Sequence, residues 1–467
     1  MISVTRRGSA RLAAAVLASG LVAAGAIATA GVAAADEAPP SQGGATATLS
    51  GLKTFDKAVI HDKGKDQRVG AGLFEMAVDN GGTIQTYCID LHNPTQSKAK
   101  YEEKPWSATS LAHNAEAGKI NWILQNSYPQ VNDLSALAAK ANSGPLTEKT
   151  AAAGTQVAIW RFSDGADVDA VDPAAQKLAD YLEKSAQSLQ EPKASLSLDP
   201  PAVSGKSGER LGPIKVHTNA DSVTVTPGDT ASSGVKVVDK DGKTITSATD
   251  GSELYFDVPA GAADGSATLT AQAATKVPVG RAFASATKSQ TQILAGSSES
   301  TVSATATADW AKKGPIPALS AEKNCAKGGV DITATNKGDE AFSFELLGEK
   351  HTVEAGKSET ITAPVKEDQA YKFTITGPNG FEKTFSGVLD CKTASTGGGS
   401  GDQTPSSQPS PASAGGGSAD STSGGDLAET GSSSNTPIIA GVAVALVVIG
   451  GGAVFLVRKK KATATGE

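Results

Sequence analysis

The chain has 467 residues, enough for several domains, and 4% aromatic content with 51 glycines favours small β modules and linkers over one large core. Its net charge of -7 argues against nucleic-acid binding, which needs a basic patch.

Residues 1–35 read as a secretory signal. A basic start (Arg6, Arg7, Arg11) precedes an apolar Ala/Leu/Val run and the small residues Ala33-Ala34-Ala35, so cleavage falls near Asp36. Arg6-Arg7 also fits a twin-arginine signal, although a general-secretion signal with a basic start is the simpler reading. Export makes the cysteine count matter: there are three, Cys88, Cys325 and Cys391, so one thiol is left over from any single disulfide.

The first expected domain spans residues 46–195. In it "IQTYCIDLHN", residues 84–93, alternates as a strand, with Tyr87, Ile89 and Leu91 on one face and Cys88, Asp90 and His92 on the other. Residues 147–165, "TEKTAAAGTQVAIWRFSDG", read as a helix capped by Thr147, with Glu148 in its first turn and its end towards Asp164-Gly165. Gln156, Ile159 and Trp160 share one face of it. This helix belongs to a helical part, residues 109–186, set on a β-core. Taken alone, Cys88 reads as a small buried apolar residue or as the nucleophile of a Cys-dependent hydrolase or transamidase, with His92 or His113 as its base. Two residues along one strand is a poor distance for a general base. His61, His92 and His113 show no metal-ligand spacing, and no metal or cofactor is expected.

Residues 196–310 alternate in short runs such as "SLSLDPP", "SVTVTP" and "ATLTAQA", separated by Pro-, Asp- and Gly-bearing turns. This is the pattern of an Ig-like antiparallel sandwich. Lys215 lies between inward Ile214 and Val216, so it should face solvent, and no intramolecular isopeptide bond is expected there. Residues 311–393 repeat the style as a second Ig-like sandwich. Cys325 opens that module and Cys391 closes it, which predicts a Cys325–Cys391 disulfide. Closing that loop would stabilise the module by roughly 4 kcal/mol in the chain-entropy model.

Residues 394–426 are Gly-, Ser- and Pro-rich with no apolar side chain larger than Ala or Pro, so they cannot bury a core and read as a disordered stalk. Residues 437–457 are nearly all apolar, and at about 1.5 Å per residue a helix there crosses a hydrocarbon core of roughly 30 Å. Arg458, Lys459, Lys460 and Lys461 follow at once and hold that end in the cytoplasm. Before the span stands Leu427-Ala428-Glu429-Thr430-Gly431. Residues 427–467 therefore resemble the cell-wall sorting signal read by sortases, with Ala428 where Pro is usual, as in many actinobacterial variants. The resemblance implies cleavage between Thr430 and Gly431 and transfer of the Thr430 acyl group to a peptidoglycan amine. The protein would contact the membrane only before sorting.

"YCID" at 87–90 and Thr155-Gln156-Val157-Ala158, a T-Q-x-A strip, together resemble the thioester (TQxA) domains of Gram-positive surface proteins. The resemblance implies that the Cys88 sulfur attacks the side-chain carboxamide of Gln156, that ammonia leaves, and that an internal thioester results. A carboxamide is a poor acyl donor, so the fold must hold the two groups together and stabilise the oxyanion. Asp90 would polarise or orient them, or simply pack. Thr155 and Trp160 are the other candidates beside the pair. Tyr87, Trp106, Trp122 or Trp160 would shield the bond, or are ordinary core aromatics. The expected protein is mainly β and multidomain. It is secreted and peptidoglycan-anchored, and it is an adhesin rather than an enzyme, consuming its thioester once on an amine-bearing surface ligand. The alternatives are a structural protein crosslinked to neighbouring wall or sheath proteins, and the Cys-dependent catalyst above.

Overall fold

The computed structural model describes residues 41–62, 64–228, 234–377 and 381–392. The expected signal (1–35), stalk (394–426) and sorting signal (427–467), with Thr430, Gly431 and the span 437–457, lie outside the described residues. Among the described residues no helix is long and apolar enough to cross a membrane.

The chain is mainly β. Its first region contains β1 (Ser41–Gly44), β2 (Thr46–Asp62), β3 (Lys65–Val78), β4 (Thr83–Cys88) and β5 (Lys100–Lys104). Helices α1 (Ala117–Asn126), α2 (Leu134–Ala141) and α3 (Glu148–Ser163) follow, then β6 (Val168–Ala170) and α4 (Pro173–Ser185). β2 and β3 form a long hairpin, and Gly81 and Gly82, with φ of 99° and 92°, make the turn into β4. α3 begins in a capping box, in which the Thr147 hydroxyl accepts from the Thr150 N–H and the Thr150 hydroxyl accepts from the Thr147 N–H. Residues 150 to 160 of α3 are all buried, because the helix is enclosed by the β2–β3 hairpin, α1 and α4. α4 is amphipathic instead, burying Ala175, Leu178, Ala179 and Leu182 at helical spacing.

The expected boundary at residue 195 is not a boundary in space. Strands Ala282–Ser285 and Gln292–Ser297 leave the following sandwich and complete the first sheet. Ala282–Ser285 pairs with β5, and Gln292–Ser297 pairs with β4. With β2 joined to both β5 and β3, and β3 to β4, the pairings close into a ring. Conversely, β1 adds to the sandwich by pairing with Glu299–Ala311. One continuous core runs through both modules. Period-2 alternation reports that one face of a strand is buried, not which sheet buries it; that is why these strands read as part of the sandwich.

A buried ion pair fastens this exchange. Arg281 Nε donates to Glu103 Oε1 at 2.8 Å, and Arg281 Nη1 donates to Glu191 Oε1 at 2.7 Å. The Glu103 carboxylate also accepts from the Ala45 N–H at 3.1 Å and from the Ser195 N–H and hydroxyl at 3.0 and 2.5 Å. The charge pair is thus satisfied on all sides, as burial demands. In the sandwich itself Lys215 is exposed between buried Ile214 and Val216, as expected.

The third module has its own core around Leu319, Val330, Ile332, Phe342 and Phe344. Cys325 and Cys391 are joined, with Sγ atoms 2.02 Å apart. This disulfide end rests on the first module. His113 Nε2 donates to the Cys325 carbonyl at 2.7 Å, Ala112 packs on Cys325, Leu389 and Cys391, and Lys288 pairs with Asp368 at 3.1 Å.

Candidate functional site

Cys88 is the last residue of β4, and the strand expected over 84–93 ends there. Residues 89–91 turn instead, so Asp90 does not share a strand face with Cys88. The turn folds back on the thiol, and the Asp90 N–H donates to Cys88 Sγ at 3.2 Å.

α3 delivers Gln156 to the same place. The Cys88 N–H donates to Gln156 Oε1 at 3.0 Å, and Gln156 Nε2 donates to the Cys88 carbonyl at 2.9 Å. The carboxamide therefore lies along the Cys88 backbone like one more rung of a ladder, and both residues are fully buried. Cys88 takes part in no disulfide. One backbone donor already sits on the oxygen that would become the oxyanion.

Three successive turns of α3 grip residues 88–91. Gln156 holds the Cys88 peptide group. The Trp160 indole N–H reaches no acceptor at full hydrogen-bond geometry, yet it lies close enough to the Cys88 sulfur to favour the thiolate. Asp164, the C-cap of α3, accepts from the Leu91 N–H at 2.8 Å and from the Ser163 hydroxyl at 2.5 Å. Burial pushes the Cys88 thiol well above its ordinary pKa, and the carboxylates of Asp164 and then Asp90 push it further. Burial also raises the Asp164 carboxyl, to about 6.

Thr155 is a fastener. Its hydroxyl meets Ser127 Oγ at 2.6 Å and donates to the Ala151 carbonyl at 2.8 Å, beside the Tyr87 hydroxyl, which donates to the Tyr128 carbonyl at 2.7 Å. Trp160 walls the site, whereas the Tyr87 ring reaches Tyr128 and Thr155 instead. Trp106 and Trp122 are only partly buried, and Trp106 donates from Nε1 to the Gly280 carbonyl at 2.9 Å, which spends that ring on the joint between modules. Neither imidazole considered for a Cys/His pair serves Cys88. His113 is committed to Cys325, and half-buried His92, its pKa lowered by burial, has Asp62 as its charged neighbour.

The floor of the site comes from Gln290 and Gln292, both fully buried. Gln292 is the register partner of Cys88, and its Oε1 accepts from the Thr86 hydroxyl at 3.0 Å. Gln290 Nε2 donates to the Asp90 carbonyl at 2.9 Å. These residues and Asp164 escaped the reading of the sequence. The signals were present: two glutamines at the start of the apolar run Ile293-Leu294-Ala295, and an acid at a helix C-terminus, where the macrodipole disfavours it.

The family model for the thioester domain matches residues 85–188. This chain carries a thioester domain. A second model, for the C-terminal domain of bacterial phospholipase C, matches residues 317–388, within the third module. Among the solved structures similar to the chain are a TIE protein and two thioester domains. The Bacillus anthracis TIE protein is 14% identical, over 75% of this chain and 81% of that one, at a TM-score of 0.27. The thioester domain of the Enterococcus faecium TIE86 protein is 16% identical, over 57% and 97%, at 0.25. That of the Staphylococcus aureus TIE protein is 14% identical, over 57% and 98%, at 0.18. No curated protein gives a significant sequence match. The matched thioester domain, residues 85–188, contains both Cys88 and Gln156, while Gln290 and Gln292 complete the site from outside the matched span.

Proposed function

We propose that the protein is a wall-anchored surface adhesin whose thioester domain forms a Cys88–Gln156 thioester and spends it on an amine of a surface ligand. The observation that carries this reading is the pair of hydrogen bonds, 3.0 and 2.9 Å, that lays the Gln156 carboxamide on the Cys88 backbone in a fully buried site. The thiol adds to the carboxamide carbon, the oxyanion leans on the Cys88 N–H, and ammonia leaves. A ligand amine then displaces the thiol and remains bound as an amide through the former Gln156 side chain. Each molecule reacts once, so this is a covalent adhesive and not a turnover catalyst. The commitment of His113 to Cys325 supports this over Cys/His hydrolysis.

The test is intact mass. The fresh mature protein should be about 17 Da lighter than its sequence mass beyond the disulfide hydrogens, because ammonia is lost in the acyl transfer. Methylamine should add once, at Gln156, and free the Cys88 thiol; Cys88→Ala should show neither change. A full sequence mass with Cys88 titrating as a free thiol would sink the reading. The wall anchor is tested separately. Thr430→Ala should move the protein from the muramidase-released fraction to membrane or medium, and extraction of the wild type from walls by detergent alone would refute sorting.

A further inference from the structure

We propose that a cavity shared by the three modules is a second binding site, which takes a small acidic sugar and pairs its carboxylate with Lys323. The cavity encloses about 320 Å³. Glu102 and Lys104 of β5 line it, with Ser303 from the sandwich and Lys323, Tyr371 and Ser386 from the third module. Glu102 and Lys104 alternate on β5 with the buried Tyr101 and Glu103, so they point away from the buried side of that strand. Ligand pockets start at about 300 Å³ and favour the junctions of domains. This one is at the small end of that range, which suits a single sugar ring.

The polar groups in the wall divide into spent and unspent. Lys104 Nζ is taken by Glu102 Oε2 at 2.6 Å. Lys323, on the strand Pro317–Asn324, makes no ion pair and no side-chain hydrogen bond among the described residues. A partly buried ammonium with no carboxylate in reach is costly, and an incoming carboxylate supplies the charge-assisted bond that it lacks. The Tyr371 hydroxyl and the hydroxyls of Ser303 and Ser386 also have no hydrogen-bond partner among the described residues. Tyr371 lies across its hairpin from Gly387, where a Cβ would meet Tyr371 Oη at 2.7 Å, so the glycine makes room for that hydroxyl. The ring itself stacks on Phe373, with centroids 5.1 Å apart. One unpaired cation calls for one carboxylate, while free hydroxyls beside an aromatic ring suit the hydroxyls and apolar face of a sugar. An amino acid suits the cavity less, because its ammonium needs an acid and Glu102 is spent on Lys104.

The charges around Lys323 give the site a pH dependence. Lys104 and Glu102 face it from β5, and Asp390 from the end of the third module; Glu322, its chain neighbour, is exposed. Burial, then the like charge of Lys104, lowers Lys323 to about 8. Asp390, raised to about 7, is only partly charged at neutral pH. The Lys323 cation is the binding form. It is present below about 8 and lost above, so affinity for a carboxylate should fall as pH rises through that value. A phosphate, with its second negative charge, would meet Glu102 and Asp390 at a disadvantage.

The experiment titrates the mature secreted chain, disulfide intact, with glucuronate, glucose, acetate and inorganic phosphate, and reads binding by calorimetry. Glucuronate should bind, and glucose and acetate should bind weaker by about tenfold or more, since each carries half of what the cavity recognises. Lys323→Met keeps the side-chain stem and should weaken glucuronate by about tenfold or more. Lys323→Arg should bind glucuronate and keep its affinity above pH of about 8, where the wild type loses it. Tyr371→Phe should weaken glucuronate and leave acetate unchanged. Wild-type affinity in Lys323→Met, or a wild-type affinity that is flat across that pH range, would overturn the site. If Lys323→Met does not fold, the pH profiles of the wild type and Lys323→Arg decide. Acetate or phosphate binding as tightly as glucuronate would mean an adventitious ion only, and binding of no probe would make the cavity a packing void; either refutes the proposal. Methylamine uptake at Gln156 reports the thioester separately, so each reading can fail without the other.

Discussion

At the scale of residues, the Cys88–Gln156 contact is made by neutral amide and peptide groups, with the acids Asp164 and Asp90 close by. The Gln156 carboxamide bonds to backbone atoms of Cys88, not to its side chain, so the sulfur is left to face Trp160. Trp160 is 1% exposed, and its indole N–H has no full hydrogen bond to lose. Trp160→Phe keeps an aromatic ring but leaves a small cavity, and should cost about 1–3 kcal/mol. Trp160→Ala opens a larger cavity beside residue 88 and should cost about 3–5 kcal/mol. Thermal unfolding in a Cys88→Ala background separates packing from the crosslink. Equal losses for Phe and Ala would mean that the N–H, not the ring, is what the fold depends on.

At the scale of elements, α3 does two jobs: it presents Gln156, Trp160 and Asp164 to one side and packs on α4 at the other. The run Ala151-Ala152-Ala153-Gly154 lets backbones approach. A Cβ built on Gly154 would meet the Ala175 carbonyl oxygen at 2.5 Å. Helix propensity alone says that Gly154→Ala should stabilise by about 1 kcal/mol. Crowding of the rigid α4 backbone should win, with a cost of about 1–3 kcal/mol. A melting temperature for Gly154→Ala at or above wild type would show that α4 yields freely.

At the scale of the whole molecule, the fold around Cys88 and Gln156 extends beyond the segment that carries them. Cys88 ends a strand whose neighbour is Gln292–Ser297, and the Glu103–Arg281 pair locks that crossover. A fragment of residues 46–195 lacks two strands of the ring and the amides of Gln290 and Gln292. It should remain unfolded and keep its full mass, whereas residues 41–311 should fold and form the thioester. Circular dichroism and intact mass decide it, and a folded, ammonia-depleted 46–195 fragment would refute the shared architecture. The third module adds a cover rather than a strand. Asp390, next to the disulfide, is close enough to Asp90 for each to feel the other's charge, and burial with that repulsion raises Asp390 to about 7.

The sequence by itself determined the local and the chemical. The Thr147 cap, α3, the Cys325–Cys391 bridge and the outward Lys215 follow from spacing, alternation and position along a few residues. The pairing of Cys88 with Gln156 came from motif resemblance, and the structure places the two in contact. Only the tertiary structure decided which strands complete the sheet, where β4 stops, and that Asp164, Gln290 and Gln292 border the thiol. The reason is physical. Periodicity records how much of a side chain is buried, and a strand of the right pattern satisfies any sheet edge that offers a matching face and free backbone groups. Gln292 stands 204 residues after Cys88, and no local signal carries a contact over that distance.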